Sequence, residues 1–516
     1  MSKGKVYLVG AGPGDPKLIT VRGLEALQRS DVVVFDRLAG PQLLNHARPD
    51  AERIYVGKLP DRHTMKQEDI NQLLVDLALQ GRTVTRLKGG DPTVFGRVGE
   101  EADLLRRNDI SYEIIPGITS AISVPAYAGI PVTHRDLASS FSVITGHESP
   151  DKLDRSIQWD KVTNATGTLV FLMGVSKIGY ISEQLMKHGR APATPVALVQ
   201  WGTRAEQKTL VGTLRDIERK VKEADFQPPA VIIVGEVVRQ RETLAWVEDR
   251  PLFGQRVLVT RARSQASELA AKIDELGGEP YEFPVIETRA PKASATINAI
   301  RKALADAEAY DWVMLTSVNG VEFFFHWLDR FSIDIRRFHK AKFVAVGPKT
   351  SAALAARGIL ADLLPENFRA EGMLDRLDGL VKPGQKALLP RGDLARELLP
   401  NELKAMGAEP VEIDVYETVF AAPQDLWLPE MIANGEIHFI TFTSSSTVHN
   451  LLQALRQLGI EDPAAALQNI EIACIGPITA RTAEQNGLHV TVVPEDSTID
   501  GLVQALADRR RILKGE

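Results

Sequence analysis

Short apolar runs, four to eight residues long and rich in Val and Ile, recur along the first 238 residues: VYLVG, VVVFD, VTRLKG, YEIIPG, FSVITG, TLVFLMG, PVALVQ and AVIIVGEV. Each ends in a turn residue. Between several of them lie stretches with helical period, such as EDINQLLVDLALQG and RVGEEADLLRRN. That alternation reads as an α/β protein with largely parallel strands. Ligands of such sheets bind outside the carboxyl ends of the strands. The glycine-rich ends of VYLVG, VTRLKGG and YEIIPG are therefore the places to look for a site.

The segment RQRETLAWVEDRPLFGQ, residues 239–255, breaks this pattern and ends in Pro251 and Gly254 before a new strand begins at Arg256. The second half then repeats itself. GQRVLVTRARSQASELAAKIDELGGEPYEFPVIET aligns with GQKALLPRGDLARELLPNELKAMGAEPVEIDVYET at an offset of 130, pairing Arg261 with Arg391. DWVMLTSVNG aligns with HFITFTSSST, and FVAVGPKTSAAL with IACIGPITARTA, pairing Thr350 with Thr479. Two copies are too few for a solenoid. They read as two similar α/β lobes facing each other across a cleft. A chain of 516 residues implies three or four domains in all.

The net charge of −6 brings no polybasic arm, so neither nucleic acid nor a membrane is expected as a partner. The single cysteine, Cys474, rules out an internal disulfide and a cysteine metal cluster, and in IEIACIGP it reads as a buried strand residue. MSKGKVYLVG lacks the apolar core of a signal peptide. No run approaches the roughly 18 apolar residues of a membrane span. A cytoplasmic location is expected.

The opening GAGPGDP comes close to the dinucleotide signature G-x-G-x-x-G, with Asp36 at the end of DVVVFD as the ribose partner. The third glycine would fall at position 15, which is Asp, and Pro13 and Pro16 remove backbone donors. A carboxylate and two missing donors make a poor pyrophosphate cradle. An NAD-dependent oxidoreductase is disfavoured; a purely structural turn stays open. Downstream, Gly89-Gly90 allow close backbone approach, Asp91 offers an acceptor, and PGITSA adds hydroxyls. Such a pocket suits a cationic or hydrogen-bond-donating ligand better than a polyphosphate.

GAGPGDP, VVVFDRL, VGK, RLKGGDPTVFGRVGEE, PGITSA, AGIPVTHRD, ITGH, TLVFLMG and PPAVIIVGEVV, in this order, resemble the tetrapyrrole methylase family and within it the uroporphyrinogen-III C-methyltransferases. The resemblance covers residues 3–245. It implies two α/β lobes with S-adenosylmethionine folded between them, and a homodimer formed through this half. The family's cofactor positions fall on Pro13, Gly89, Gly90, Asp91, Val94, Thr119, Ser120, Met173, Gly202 and Ala230. Ser120 stands where many members have Ala. The family also implicates Asp36 and Lys58 as acid/base groups; from the residues alone, Asp36 could equally cap the next segment and Lys58 be a solvated lysine. Arg37, His134 and Arg135 are candidates for substrate carboxylates, although an isolated histidine such as His134 often serves structure.

Residues 254 to about 508 resemble uroporphyrinogen-III synthase, whose fold is two α/β lobes joined by a two-stranded ladder. FPVIET and VYETV are the expected ladder strands. Tyr416 matches the family's tyrosine near the cleft, a candidate catalytic group that could also be a packed strand residue. Arg261, Thr316, Ser317, Thr350, Arg391, Ser444, Ser445 and Thr479 are candidate substrate-binding residues, though Ser and Thr before helices commonly serve as caps. Helix N-termini bind carboxylates well.

The expected fold is therefore a two-lobed tetrapyrrole methylase fold followed by a two-lobed α/β synthase fold with internal duplication. The expected division is a methylase over 1–245, a linker over 246–255 and a synthase over 256–516. Within the synthase, lobe one would be about 254–286 plus 420–516 and lobe two about 287–419. The resemblances imply a bifunctional enzyme. The synthase half, a cyclising hydro-lyase, would close hydroxymethylbilane to uroporphyrinogen III without metal or organic cofactor. The methylase half would methylate the product at C2 and C7 to precorrin-2, feeding sirohaem or cobalamin synthesis. The alternative is a methylase alone, with the second half a tetrapyrrole-binding or dimerisation module.

Overall fold

A computed structural model describes residues 3–57, 65–146, 157–261, 263–365, 370–377, 379–395, 397–421 and 427–515. The strands form four five-stranded sheets. In the first, Glu52–Tyr55, Val32–Phe35, Val84–Lys88, Lys5–Gly10 and Ser111–Ile115 lie side by side in that order, all parallel. The second orders Phe141–Thr145, Thr168–Leu172, Ala230–Val234, Pro195–Gln200 and Lys208–Thr213, with only the first pair parallel. Helices or loops cover both faces of each sheet, so central strands such as VVVF are buried at every position. This is why the strands read as unbroken apolar runs rather than alternating ones.

The duplication is explicit in the last two sheets. The third orders Glu279–Glu282, Arg256–Val259, Phe439–Phe442, Glu471–Cys474 and Val490–Val492, all parallel. In the fourth, Glu409–Phe420, Lys386–Gly392, Trp312–Leu315 and Lys342–Ala345 follow the same order through equivalent strands. Its outer strand, Ile286–Arg289, pairs antiparallel with the far end of Glu409–Phe420, Ile286 opposite Phe420 and Arg289 opposite Glu417. That two-stranded ladder carries FPVIET and VYETV. Cys474 is buried in its strand, and burial pushes its thiol up to about 12, which leaves it unreactive. Among the described residues, no helix is long and apolar enough to cross a membrane.

The two halves of the chain meet around Arg256. Its side chain is 2% exposed. It donates to both oxygens of Glu206 at 2.7 Å, to Glu279 at 2.9 and 3.0 Å, and to Glu436 at 3.4 Å. Glu206 belongs to the first half, Glu279 and Glu436 to the second. Burial opposes the guanidinium charge, but Glu279 and Glu206 more than offset it and hold the proton more firmly than usual. Around this point Glu279 also accepts the Ala205 N–H at 2.7 Å, Gln42 accepts the Glu282 N–H at 3.1 Å, and Lys17 pairs with Asp274 at 2.6 Å. Leu252, fully buried, already packs into the core of the third sheet.

Arg256→Ala should lower stability by about 3 kcal/mol, because it leaves partly buried carboxylates without their cation. The readout is the midpoint of urea denaturation. The pH dependence has a definite sign. Burial works to raise the Glu279 carboxyl, but Arg256 prevails and holds it below its ordinary range. Its contribution should be complete above the unfolded carboxylate value of about 4.3. It should be lost only as the pH falls through the lower folded value.

Candidate functional site

Three glycines meet backbone to backbone at the carboxyl ends of three adjacent strands of the first sheet. A Cβ on Gly10 would lie 2.5 Å from the Gly117 backbone and 2.7 Å from the Gly90 carbonyl. Ala11 N–H donates to the Lys88 carbonyl at 2.7 Å, and Gly12 and Gly90 exchange a pair of backbone hydrogen bonds at 3.2 and 2.7 Å. Two of the donors that a phosphate-binding loop would present, the Ala11 and Gly12 N–H groups, are thus already engaged by the neighbouring strand end. Asp15 turns the other way. It accepts from the Lys17 N–H and from the Tyr127 hydroxyl, both at 2.8 Å. Burial raises its carboxyl despite these bonds.

Behind this junction lies a cavity of about 720 Å³ between the first and second sheets. Pro13, Gly89, Gly90, Asp91, Val94, Thr119 and Ser120 line it from the first sheet's side, and Met173, Gly202 and Ala230 from the second's. Gly90 has φ +68°, and a Cβ there would meet only the Thr119–Ser120 backbone at 3.8–4.0 Å, projecting toward open space. Asp91 is spent on the wall itself: it accepts from Thr93 N–H at 2.7 Å and Gly117 N–H at 3.0 Å, tying the GGD turn to PGIT. Phe95, Arg97, Met173 and Trp201, also on this wall, have positive φ of 46–57°. Clustered backbone strain of this kind in non-glycine residues belongs to ligand sites.

Asp36 stands at the edge of the cavity. It caps the turn Arg37–Ala39 through Leu38 N–H at 3.1 Å and accepts from Arg86 at 2.9 Å. Arg86 and Lys88 both face Glu101, at 3.5 and 2.6 Å, and all three are buried. Burial pushes the Lys88 ammonium down, against the pull of Glu101. Sequence reading passed over this buried set. Its signal was two cations inside VTRLK, a strand buried at every position.

A second cavity, of about 480 Å³, adjoins the first and opens between the two halves. Asp36, Trp201 and Arg204 line both. Arg37 lies here, its guanidinium 5.8 Å from the Trp201 ring. His134 and Arg135 line neither cavity: His134 Nδ1 accepts the Asp136 N–H at 3.2 Å to close a turn, and Arg135 is exposed. Lys58 lies outside the described residues.

In the second half, parallel strands deliver helix N-termini to their carboxyl ends. Ser317 caps Val318–Arg330 and Ser444 caps Ser445–Gln457, while Gly347 and Gly476 precede Pro348–Ala355 and Pro477–Gln485. Thr316 sits at the mouth of the first of these helices. Thr350 and Thr479 are buried within the latter two, and Ser445 bonds Thr482 at 2.7 Å. Tyr416, on the ladder strand, reaches the Ser317 hydroxyl at 3.3 Å and stacks on Phe323. Arg391 is gripped by Glu412 at 2.7 Å and Glu397 at 2.8 Å. Arg261 is half-buried, which lowers its guanidinium from the usual value, with Glu268 opposing. Across the lobes, Lys349 pairs with Glu268 at 2.5 Å.

Residues 5–218 match the family model of the tetrapyrrole (corrin/porphyrin) methylases, and residues 267–504 that of uroporphyrinogen-III synthase HemD. The porphyrin biosynthesis protein HemD of Ruminiclostridium josui is 38% identical over 98% of both chains. The chain belongs to this family of methylase–HemD fusions. The uroporphyrinogen-III C-methyltransferase of Bacillus subtilis is 38% identical over 93% of each chain. The S-adenosyl-L-methionine-dependent uroporphyrinogen III methyltransferase of Methanosarcina barkeri is 50% identical over 47% of this chain and 94% of its own. A methylase domain joined to a HemD-type domain makes this a bifunctional tetrapyrrole biosynthesis protein.

Gly10→Ala should cost about 2–3 kcal/mol, since backbone rather than flexible side chain must move. Gly99→Ala is the control: its Cβ meets nothing within 4 Å in the helix Val98–Arg107. It should be neutral or stabilise by up to about 1 kcal/mol. Thermal denaturation of the two variants measures the contrast.

Proposed function

We propose that the first half, residues 1–245, methylates uroporphyrinogen III twice, at C2 and C7, to give precorrin-2. The second half, residues 256–516, forms that substrate by closing hydroxymethylbilane. The observation that carries the first part is the single cavity that gathers all ten residues at the family's cofactor positions, next to Asp36. Its lining fits an adenosyl ligand. Gly90 leaves space that any side chain would take, and the thioether of Met173, half exposed, and the backbone around Thr119 offer soft and hydrogen-bonding surface.

S-adenosylmethionine, when bound, supplies an electrophilic methyl group for a pyrrole β-carbon. The chain's own residues position and deprotonate. Gly89 and Gly90 let the backbone form the floor. Positioning of this kind supplies most of the acceleration for a transfer between bound partners. Asp36, ion-paired with Arg86 on one oxygen, keeps carboxylate lone pairs to receive the proton that the pyrrole N–H must lose. Lys58, outside the described residues, is a second candidate for that step.

In the second half, water leaves the hydroxymethyl group of the linear tetrapyrrole and the chain closes with ring D inverted. Helix N-termini capped by Ser317 and Ser444 suit the substrate's carboxylates. Tyr416, bonded to the Ser317 cap, would steady the departing hydroxyl. A homodimer through the first half is supported by the exposed Ile114, Ile118 and Ile122 around the edge strand Ser111–Ile115.

Purified protein given hydroxymethylbilane and S-adenosylmethionine should yield a dimethylated tetrapyrrole of isomer III, identified by absorbance and mass. No methylated product would sink the reading. Asp36→Asn should lower methylation kcat by about 10²-fold while S-adenosylhomocysteine affinity stays within about twofold, read by calorimetry.

A further inference from the structure

Resting on the methylase reading above, we infer that the synthase half completes the tetrapyrrole subsite of the methylase. The cavity between the halves receives the pyrrole edge under attack, and its outer wall comes from the synthase domain.

The cavity of about 480 Å³ is of the size that takes small ligands or one edge of a larger one. It shares Asp36, Trp201 and Arg204 with the adjoining cofactor cavity, so a group seated in it reaches the reacting end of that cavity. Its lining is aromatic and carries both signs of charge, the carboxylates mostly engaged by cations or hydrogen bonds of the wall itself. The methylase side contributes Phe35, Tyr55, Tyr127 and Trp201, the segment between the halves Trp246 and Phe253, and the synthase side Tyr281 and Trp427. Three of the six tryptophans of the chain are here. Among the described residues, Arg37 and Arg204 form no ion pair, and both sit on the Trp201 ring, at 5.8 and 5.3 Å. Of the other cations on this wall, Arg256 is committed to three carboxylates and Lys17 to Asp274, while Arg250 stacks on the Trp246 ring at 4.6 Å and donates to the Asp274 carbonyl at 3.3 Å. Two available guanidiniums in an aromatic slot are what the acetate and propionate arms of one pyrrole ring require.

The synthase wall is fixed rather than draped. The Trp427 ring meets the Tyr55 ring edge-on at 4.9 Å, directly against the methylase strand that follows Asp36's own strand. Trp427 opens the helix Leu428–Ala433, which presents the exposed Glu430 to the cavity. Glu430 makes no ion pair among the described residues and opposes a polyanion from the rim. A charge reversal there therefore reads out binding without disturbing a core.

The test uses the full-length protein, with uroporphyrinogen III supplied directly and methylation rates measured. Glu430→Lys should lower KM for uroporphyrinogen III at least threefold at low ionic strength, an effect that salt erases, with KM for S-adenosylmethionine unchanged. Trp427→Ala should raise KM for the tetrapyrrole at least fivefold with kcat within twofold. Turnover of hydroxymethylbilane by the same preparation checks that its synthase half is folded. If Trp427→Ala fails that check, Glu430→Lys decides alone. An unchanged tetrapyrrole KM in Glu430→Lys, with wild-type methylation intact, overturns the inference. Absence of methylation in the wild type overturns the functional reading on which it rests.

Discussion

Arg256 holds the two halves in register. It is the first residue of the first strand of the second half, and it is buried where the chain has only just left the first half. A lone buried guanidinium would be prohibitively unstable. Here Glu206 from one half and Glu279 and Glu436 from the other surround it, so each half supplies what the other's charge lacks. Separation of the halves would expose a well-paired cluster to water. It would also undo the Ala205–Glu279 and Gln42–Glu282 bonds beside it. The cavity between the halves exists because this point is fixed.

The two halves solve ligand binding with different parts of the same α/β grammar. In the first, glycines at strand ends let backbones touch and leave a cavity floored by main chain, suited to a ligand recognised by shape and hydrogen bonds. In the second, strands run into helices that start at hydroxyl or glycine caps, an arrangement that fits the carboxylate-rich substrate proposed for it. The duplicated sheets double the number of such helix ends. Arg391, which the repeat pairs with Arg261, is engaged by Glu397 and Glu412.

Legibility followed locality. Strand ends, glycine turns and the repeat are properties of short windows, and they named the elements that wall the first cavity, because a turn residue after an apolar run can be read without knowing its neighbours. Pro13, Asp15 and Pro16 also argued against a pyrophosphate, and the structure adds to the reason: the Ala11 and Gly12 N–H groups bond to the Lys88 and Gly90 carbonyls and the Asp15 N–H to the Thr203 hydroxyl. What could not be read depends on residues far apart. Glu206 and Arg256 are 50 positions apart, and Gln42 and Glu282 are 240. No periodicity encodes Trp427 against Tyr55. His134 illustrates the converse: a short motif singled it out, and its local turn accounts for its Nδ1.

The charges inside VTRLK carry the chemistry furthest. Arg86 and Lys88 lie in a fully buried central strand, where two cations would repel each other and resist desolvation. Glu101 stands between them and Asp36 lies beyond Arg86, so two cations face two anions and the set is neutral as a whole. Within it Asp36 alone reaches both cavities. The buried members therefore act as a fixed support that orients one carboxylate at the boundary between the two cavities. Loss of Glu101 would leave Lys88 and Arg86 in mutual repulsion. That strain would fall on the one carboxylate left to Arg86, Asp36, so a residue that lines neither cavity can govern the carboxylate proposed above as proton acceptor.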